Sequence, residues 1–171
     1  MAIHPSAHIH PSAVVLGDVT IGPDAHILPT AVLRGDSDRI VVGARTNVQD
    51  GAVLHADAGV PCIVGDDVTI GHRAIVHGAI VAPACLIGMG AIVMNGCRIG
   101  TGAIVAAGAL CPEGMEIPEG MLAVGVPARV VRATTEAERE RIRSSAAWYA
   151  ERGRAYARGE FPPTPREIAD S

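Results

Sequence analysis

An aliphatic residue recurs every six positions along most of this chain, and that period limits the fold more than any other feature. Ile3, Ile9, Val15, Ile21, Ile27 and Leu33 begin it, and Val42, Val48 and Leu54 follow a three-residue insertion. Val64, Ile70 and Val76 follow a four-residue insertion. One five-residue step leads to Val81, and six-residue steps resume through Ile87, Val93, Ile99 and Val105. A small or β-branched residue stands four places after most of these, among them Ala25, Ala31, Thr46, Ala52, Ala74, Cys85 and Ala103. Six fits neither the 3.6-residue turn of an α-helix nor a hairpin rhythm. It fits short parallel strands that turn a corner every six residues and stack as a solenoid, with the aliphatics inward. Glycines directly after the aliphatics, as in Ile87-Gly88 and Ile99-Gly100, are expected to take backbone angles that other residues avoid.

The interior of such a solenoid is thin, and the composition suits it: 49% of residues are hydrophobic but only 2% aromatic, so Val, Ile, Leu and Ala must fill it. The net charge of −4 argues against nucleic acid and against a polybasic membrane surface. All 14 basic residues are Arg, which excludes a Walker A phosphate loop, a Schiff-base lysine and a Ser–Lys dyad. No signal-like segment opens the chain and no apolar run is long enough to span a bilayer, so a soluble, cytoplasmic protein is expected. Cys62, Cys85, Cys97 and Cys111 lack CxxC spacing and read as buried free thiols.

The repeat resembles that of the hexapeptide-repeat proteins over roughly Ile3 to Arg129. The resemblance implies an all-β fold: a single-stranded left-handed parallel β-helix, a triangular prism with three hexads per coil. The handedness comes from the resemblance, since the general crossover rule gives the opposite hand. Gly114 to Arg129 reads as a terminating loop. Thr135-x-x-Glu138 is a capping box that opens a charged helix from about Glu136 to Arg158. Its Ile142, Ala146 and Tyr149 would face the prism or a neighbouring subunit. The expected division is 1–132 for the β-helix, 133–160 for the C-terminal helix and 161–171 for a tail opened by the FPPTP at 161–165.

With three hexads per coil, Leu33, Leu54, Val76 and Val93 stack in one column, followed by Arg34, His55, His77 and Met94. His55 and His77 therefore sit at equivalent places on adjacent rungs, ~4.8 Å apart. A tetrahedral zinc ion with bonds of ~2.0–2.1 Å holds two imidazole nitrogens ~3.3 Å apart, within reach of small rotamer changes. His72 belongs to the preceding hexad, past a corner and on the order of 10 Å away, given ~3.3 Å per extended residue. It cannot readily complete the same ion within one chain, but a neighbouring chain can supply it. A cyclic homotrimer would then build three sites, each with two histidines from one subunit and one from the next.

At this point the chain resembles the γ-class carbonic anhydrases. The matching runs are LRGD at 33–36, ARTNVQDGAVLH at 44–55, IGHRAIVHGAIV at 70–81, IGMGAIVMNG at 87–96 and VGVPAR at 124–129. The resemblance implies His55, His72 and His77 as metal ligands, Gln49 beside the metal-bound water, and Arg34 with Asp36 as an interface and anion-handling pair. Asn47 and Asp50 match polar residues near that glutamine. The implied cofactor is zinc, with iron or cobalt as the family's other metals. The implied reaction is reversible hydration of carbon dioxide to bicarbonate by a metal-bound hydroxide. The chain departs from the pattern at the proton-transfer step. Ser37 follows Asp36, Asp57 is the one acid in the loop ADAGVPCI, and SSAAWYA at 144–150 lacks an asparagine that some members place near the metal.

His4, His8, His10 and His26 fall outside the motif and are expected to be solvated, while Met89 and Met94 are expected to pack. Three other functions are weighed: an acyl-CoA thioesterase using the same ligands, an acyltransferase of the wider hexapeptide group, and a metal-stabilised trimeric scaffold without catalysis. An acyltransferase would use a histidine base and lacks both the three-histidine set and the LRGD and NVQDG runs.

Overall fold

The computed structural model describes residues 1–161. The chain winds into a left-handed parallel β-helix with one C-terminal helix. Three flat faces run the length of the prism. The inward column of the first face is Ile9, Ile27, Val48, Ile70, Ile87, Val105 and Ala123, each beside the next. The second stacks Val15, Leu33, Leu54, Val76, Val93 and Cys111. The third stacks Ile3, Ile21, Val42, Val64, Val81, Ile99 and Ile117. From Ile21 onward every member of the columns is buried. Each large aliphatic so buried contributes on the order of 1.5–3 kcal/mol.

The corners correct one expectation. Gly88 and Gly100, directly after their aliphatics, do not use left-handed angles. A Cβ on Gly88 would stand 2.4 Å from the backbone nitrogen of Ala107, and one on Gly100 2.5 Å from that of Glu119. These glycines let one coil's backbone lie close against the next. The left-handed conformation falls two residues later, at Gly90 (φ 66°), Gly102 (φ 66°) and even at Arg73 (φ 57°). The stretch Gly114–Arg129 is also not a terminating loop. Strands Glu116–Ile117 and Met121–Val124 continue the winding, and Ile117 and Ala123 belong to the core. Arg129–Ala133 then pairs antiparallel with Met121–Val124.

The helix spans Glu136–Ala157, and Thr135 and Glu138 form the capping box. It folds back over the first face. Its buried stripe is Ile142, Ala146, Ala150 and Gly153, which places Gly153 against the His26 ring. His26 is therefore fully buried rather than solvated, and burial pushes its pKa down to about 4. Its Nδ1 lies 3.2 Å from the carbonyl of Tyr149, while Nε2 has no hydrogen-bond partner among the described residues. His8 and His10 are half-buried against Tyr156, and His4 is exposed. All four cysteines are buried free thiols, and desolvation pushes Cys62 and Cys111 up to about 12. Met89, expected to pack, is exposed, and Met94 is half-buried. Among the described residues no helix is long and apolar enough to cross a membrane. The expected tail lies, from residue 162 on, outside the described residues.

Candidate metal centre

The three departures from the six-residue rhythm fall at one place. The links from Leu33 to Val42, Leu54 to Val64 and Val76 to Val81 all join the second face to the third, on successive coils. The first two carry extra residues and the third is one residue short, so this edge alone departs from a plain corner. Asp36 lies in the first link and Asp57 in the second, and Gly78 tightens the third. The second is closed by a bridge between Asp57 and Val60, and Asp38 accepts from the Gly59 amide at 2.8 Å.

His55 and His77 end adjacent strands of the second face and stand side by side. His55 Nδ1 lies 2.8 Å from His77 Nε2. The outer nitrogen of each ring is also held, His55 Nε2 by Asp36 Oδ1 at 3.1 Å and His77 Nδ1 by Asn95 Oδ1 at 2.7 Å. Arg34, one rung below His55, donates to both oxygens of Asp36 at 2.8 and 2.7 Å. The Arg34 guanidinium, and after it the His55 ring, hold the Asp36 carboxyl below its ordinary range. Asn95 Nδ2 donates to Asp57 Oδ2 at 2.7 Å. Among the described residues, His55, Asp57 and His77 gather three metal-type donors within 4.8 Å of one another.

This arrangement suits a cation. Two facing imidazole nitrogens 2.8 Å apart need a proton between them, and opening the pair to ~3.3 Å by small rotamer changes exchanges that proton for a metal ion. Outer hydrogen bonds to a carboxylate and an amide oxygen are the usual support of ligating histidines.

The remaining candidates assemble elsewhere. His72 sits at the opposite edge of the second face, on the corner that precedes strand Ile75–His77, with Nδ1 2.9 Å from Asp50 Oδ2. Gln49 lies on the same edge one coil below. Its Nε2 donates to Asn47 Oδ1 at 3.0 Å, and Asn47 Nδ2 donates to Thr69 Oγ1 at 2.9 Å. Asn47 is wholly buried and reaches this edge only through Gln49. One chain thus brings Arg34, Asp36, His55 and His77 together, and separately Asn47, Gln49, Asp50 and His72. Asn95 and the contact role of Asp57 were missed by sequence reasoning. The one signal for them was the five-residue step, which marks the shortened link beside Asn95.

The outward surface between the two clusters is apolar. Val14, Val32, Val53, Ile75, Ile92 and Leu110 line the second face, and no other element of the described chain covers them. The first face lies under the helix, and the third face presents Thr20, Arg98 and Glu116 among its aliphatics.

No family model matches the chain. It is 45% identical over 147 residues, 86% of this chain and 92% of the other, to a Methanocaldococcus jannaschii protein named "Probable carbonic anhydrase". It is 40% identical over 136 residues to the carnitine operon protein CaiE of Escherichia coli, covering 80% of this chain and 69% of that protein. Among solved structures, a Bacillus cereus protein described as a candidate acetyltransferase superimposes with a TM-score of 0.89 at 39% identity, over 91% of this chain and 90% of that one. A hexapeptide transferase family protein from Anaplasma phagocytophilum gives 0.87 at 38% identity, over 91% and 92%.

Proposed function

The chain belongs to the γ-class carbonic anhydrase-like family of hexapeptide-repeat proteins, and from that premise we propose a metal-dependent enzyme that hydrates carbon dioxide reversibly to bicarbonate. The observation that carries the reading is the His55–His77 pair, with facing nitrogens 2.8 Å apart and both outer nitrogens anchored. The proposed ligands are His55 and His77 of one subunit and His72 of the partner subunit in a cyclic homotrimer. Zinc is the proposed ion, with iron or cobalt as alternatives. The bare aliphatic second face, with donors at both of its edges, supports that assembly. Packing an apolar face between subunits removes it from water, and the same packing carries one subunit's His72 edge toward its neighbour's His55 edge.

When bound, such an ion supplies Lewis-acid activation of water near neutral pH. The chain's own groups then divide the work. Asn47 ties down the amide nitrogen of Gln49, which turns Gln49 Oε1 toward the open edge as an acceptor that orients the reacting water. Asp50 fixes the His72 ring through Nδ1 and leaves Nε2 for coordination. Asp36 does the same for His55 from the other side. Arg34 pairs with Asp36 through one guanidinium nitrogen, and its positive charge draws the bicarbonate anion. Elemental analysis of anaerobically purified protein, followed by carbon dioxide hydration on the same sample, tests this reading. About one metal per chain with measurable hydration is expected. Intact metal-loaded trimers with no measurable hydration or esterase activity would favour the scaffold.

One observation favours a second reading, an acyl-CoA thioesterase. A groove of about 440 Å³ between the helix and the first face is lined by Leu86, Met89, Ile104, Ile142 and Tyr149, and it opens on Gln49 and His72. An apolar acyl chain fits that lining. Hydrolysis of acyl-CoA faster than carbon dioxide hydration by the same metal-loaded sample would select it.

A further inference from the structure

We propose that Asn95 is the positioning residue of His77, clamped by Asp57 and given room by Gly78, a role that rests on the metal reading above. Hydrogen-bond chemistry fixes every orientation in the relay. An ionised carboxylate only accepts, so the amide nitrogen of Asn95 must be the end that faces Asp57 Oδ2 at 2.7 Å. The amide oxygen therefore faces His77, where it can only accept, so His77 Nδ1 must carry the proton. His77 Nε2 is left with its lone pair directed at His55 Nδ1, and the proton between them at 2.8 Å is the one that a bound ion would displace. Without this relay an imidazole is free to place its proton on either nitrogen and to rotate.

The backbone is built to allow the contact. The five-residue step from Val76 to Val81 brings Gly78 against the next coil, where Gly96 donates to its carbonyl at 2.7 Å. Gly78 has φ 52°, and a Cβ there would lie 2.3 Å from Asn95 Oδ1 and 2.9 Å from Val60 Cγ1. Any side chain at this position would push the Asn95 oxygen away from His77. The same contacts separate two roles for Asp57, which lies close enough to the two rings to be a third donor. Its side-chain partner is Asn95, so it acts through the amide rather than on the ion.

The test uses metal-free full-length protein labelled with nitrogen-15 and reads the protonation pattern of the His77 ring by long-range NMR at mildly alkaline pH, then titrates cobalt(II). Wild type should show protonated Nδ1. Asn95→Ala should shift the proton toward Nε2 and weaken cobalt binding about 10- to 100-fold. The exchanged variant Asn95→Asp/Asp57→Asn keeps an acceptor toward His77 and a donor between the two side chains, so it should restore both readings to within about threefold. Asp57→Asn alone keeps an acceptor oxygen for Asn95 and should lose little affinity. Retention of tautomer and affinity in Asn95→Ala overturns the proposal. So does a folded exchanged variant that binds as weakly as Asn95→Ala, or loss of cobalt from Asp57→Asn with the tautomer intact. If Asn95→Ala does not fold, the exchanged variant decides alone. A wild-type protein that binds no cobalt, while its tautomer still depends on Asn95, overturns the metal reading and leaves the positioning supported.

Discussion

His77 stands one rung above His55, and the facing nitrogens of the two rings are 2.8 Å apart at the single edge where the six-residue rhythm breaks on three successive coils. A repeat that is otherwise uniform has spent its irregularities on this edge. The lengthened links supply Asp36 and Asp57, and the shortened one supplies the space for Asn95.

Charge placed on the bare second face should separate assembly from folding. Ile75→Asp opens its strand on the outward column, where a lone prism solvates it and a packed one cannot. Light scattering should show monomers, far-ultraviolet circular dichroism should be unchanged, and metal content should fall although all three histidines remain. Trimers that persist in Ile75→Asp would remove this face from the interface.

The two kinds of glycine should respond differently to the same methyl group. At Gly100 a Cβ meets backbone of the next coil at 2.5 Å, which only a backbone shift relieves, so Gly100→Ala should cost roughly 3 kcal/mol or more, as severe overpacking does. At Gly102 the space is open and the φ of 66° is the only obstacle, so Gly102→Ala should cost about 1–2 kcal/mol. Urea unfolding of the pair measures the difference, and equal losses would contradict the close-approach account.

Much of this was legible in the sequence because a period of six is itself a coordinate system. Counting three hexads per coil put His77 beside His55 and left His72 at another edge, as the registers do. What the period does not encode is the path of chain that leaves it. The Asp57–Asn95 contact depends on how the loop after His55 folds outward, and the burial of His26 depends on a helix more than a hundred residues later. The final coil reads as a loop in the sequence because prolines punctuate it and Ala123 stands in the aliphatic column, although Cys111 and Ile117 keep the step of six.

Burial of His26 makes the docked helix sensitive to acid. Its folded pKa of about 4 lies below the ordinary 6.5, so the unfolded chain takes the proton first. The stabilisation is full above pH 6.5, declines as the pH falls, and is lost by about pH 4, for a total on the order of 3 kcal/mol. Unfolding free energies at pH 7.5, 5.5 and 4.5 should show a shallower decline in His26→Asn than in wild type. Parallel declines would place the acid sensitivity elsewhere.

The central claim is that the metal cage is shared between subunits, and hybrid trimers test it most directly. His72→Ala chains keep His55 and His77, while His55→Ala/His77→Ala chains keep His72. Neither parent should hold metal at stoichiometric levels, but each mixed trimer contains one interface with all three histidines. Unfolding the two parents together, refolding them and isolating the hybrids by differential tags should yield about one metal ion per mixed trimer. Hybrids that bind no more metal than their parents, or a His72→Ala parent that retains a full complement, would contradict the shared cage.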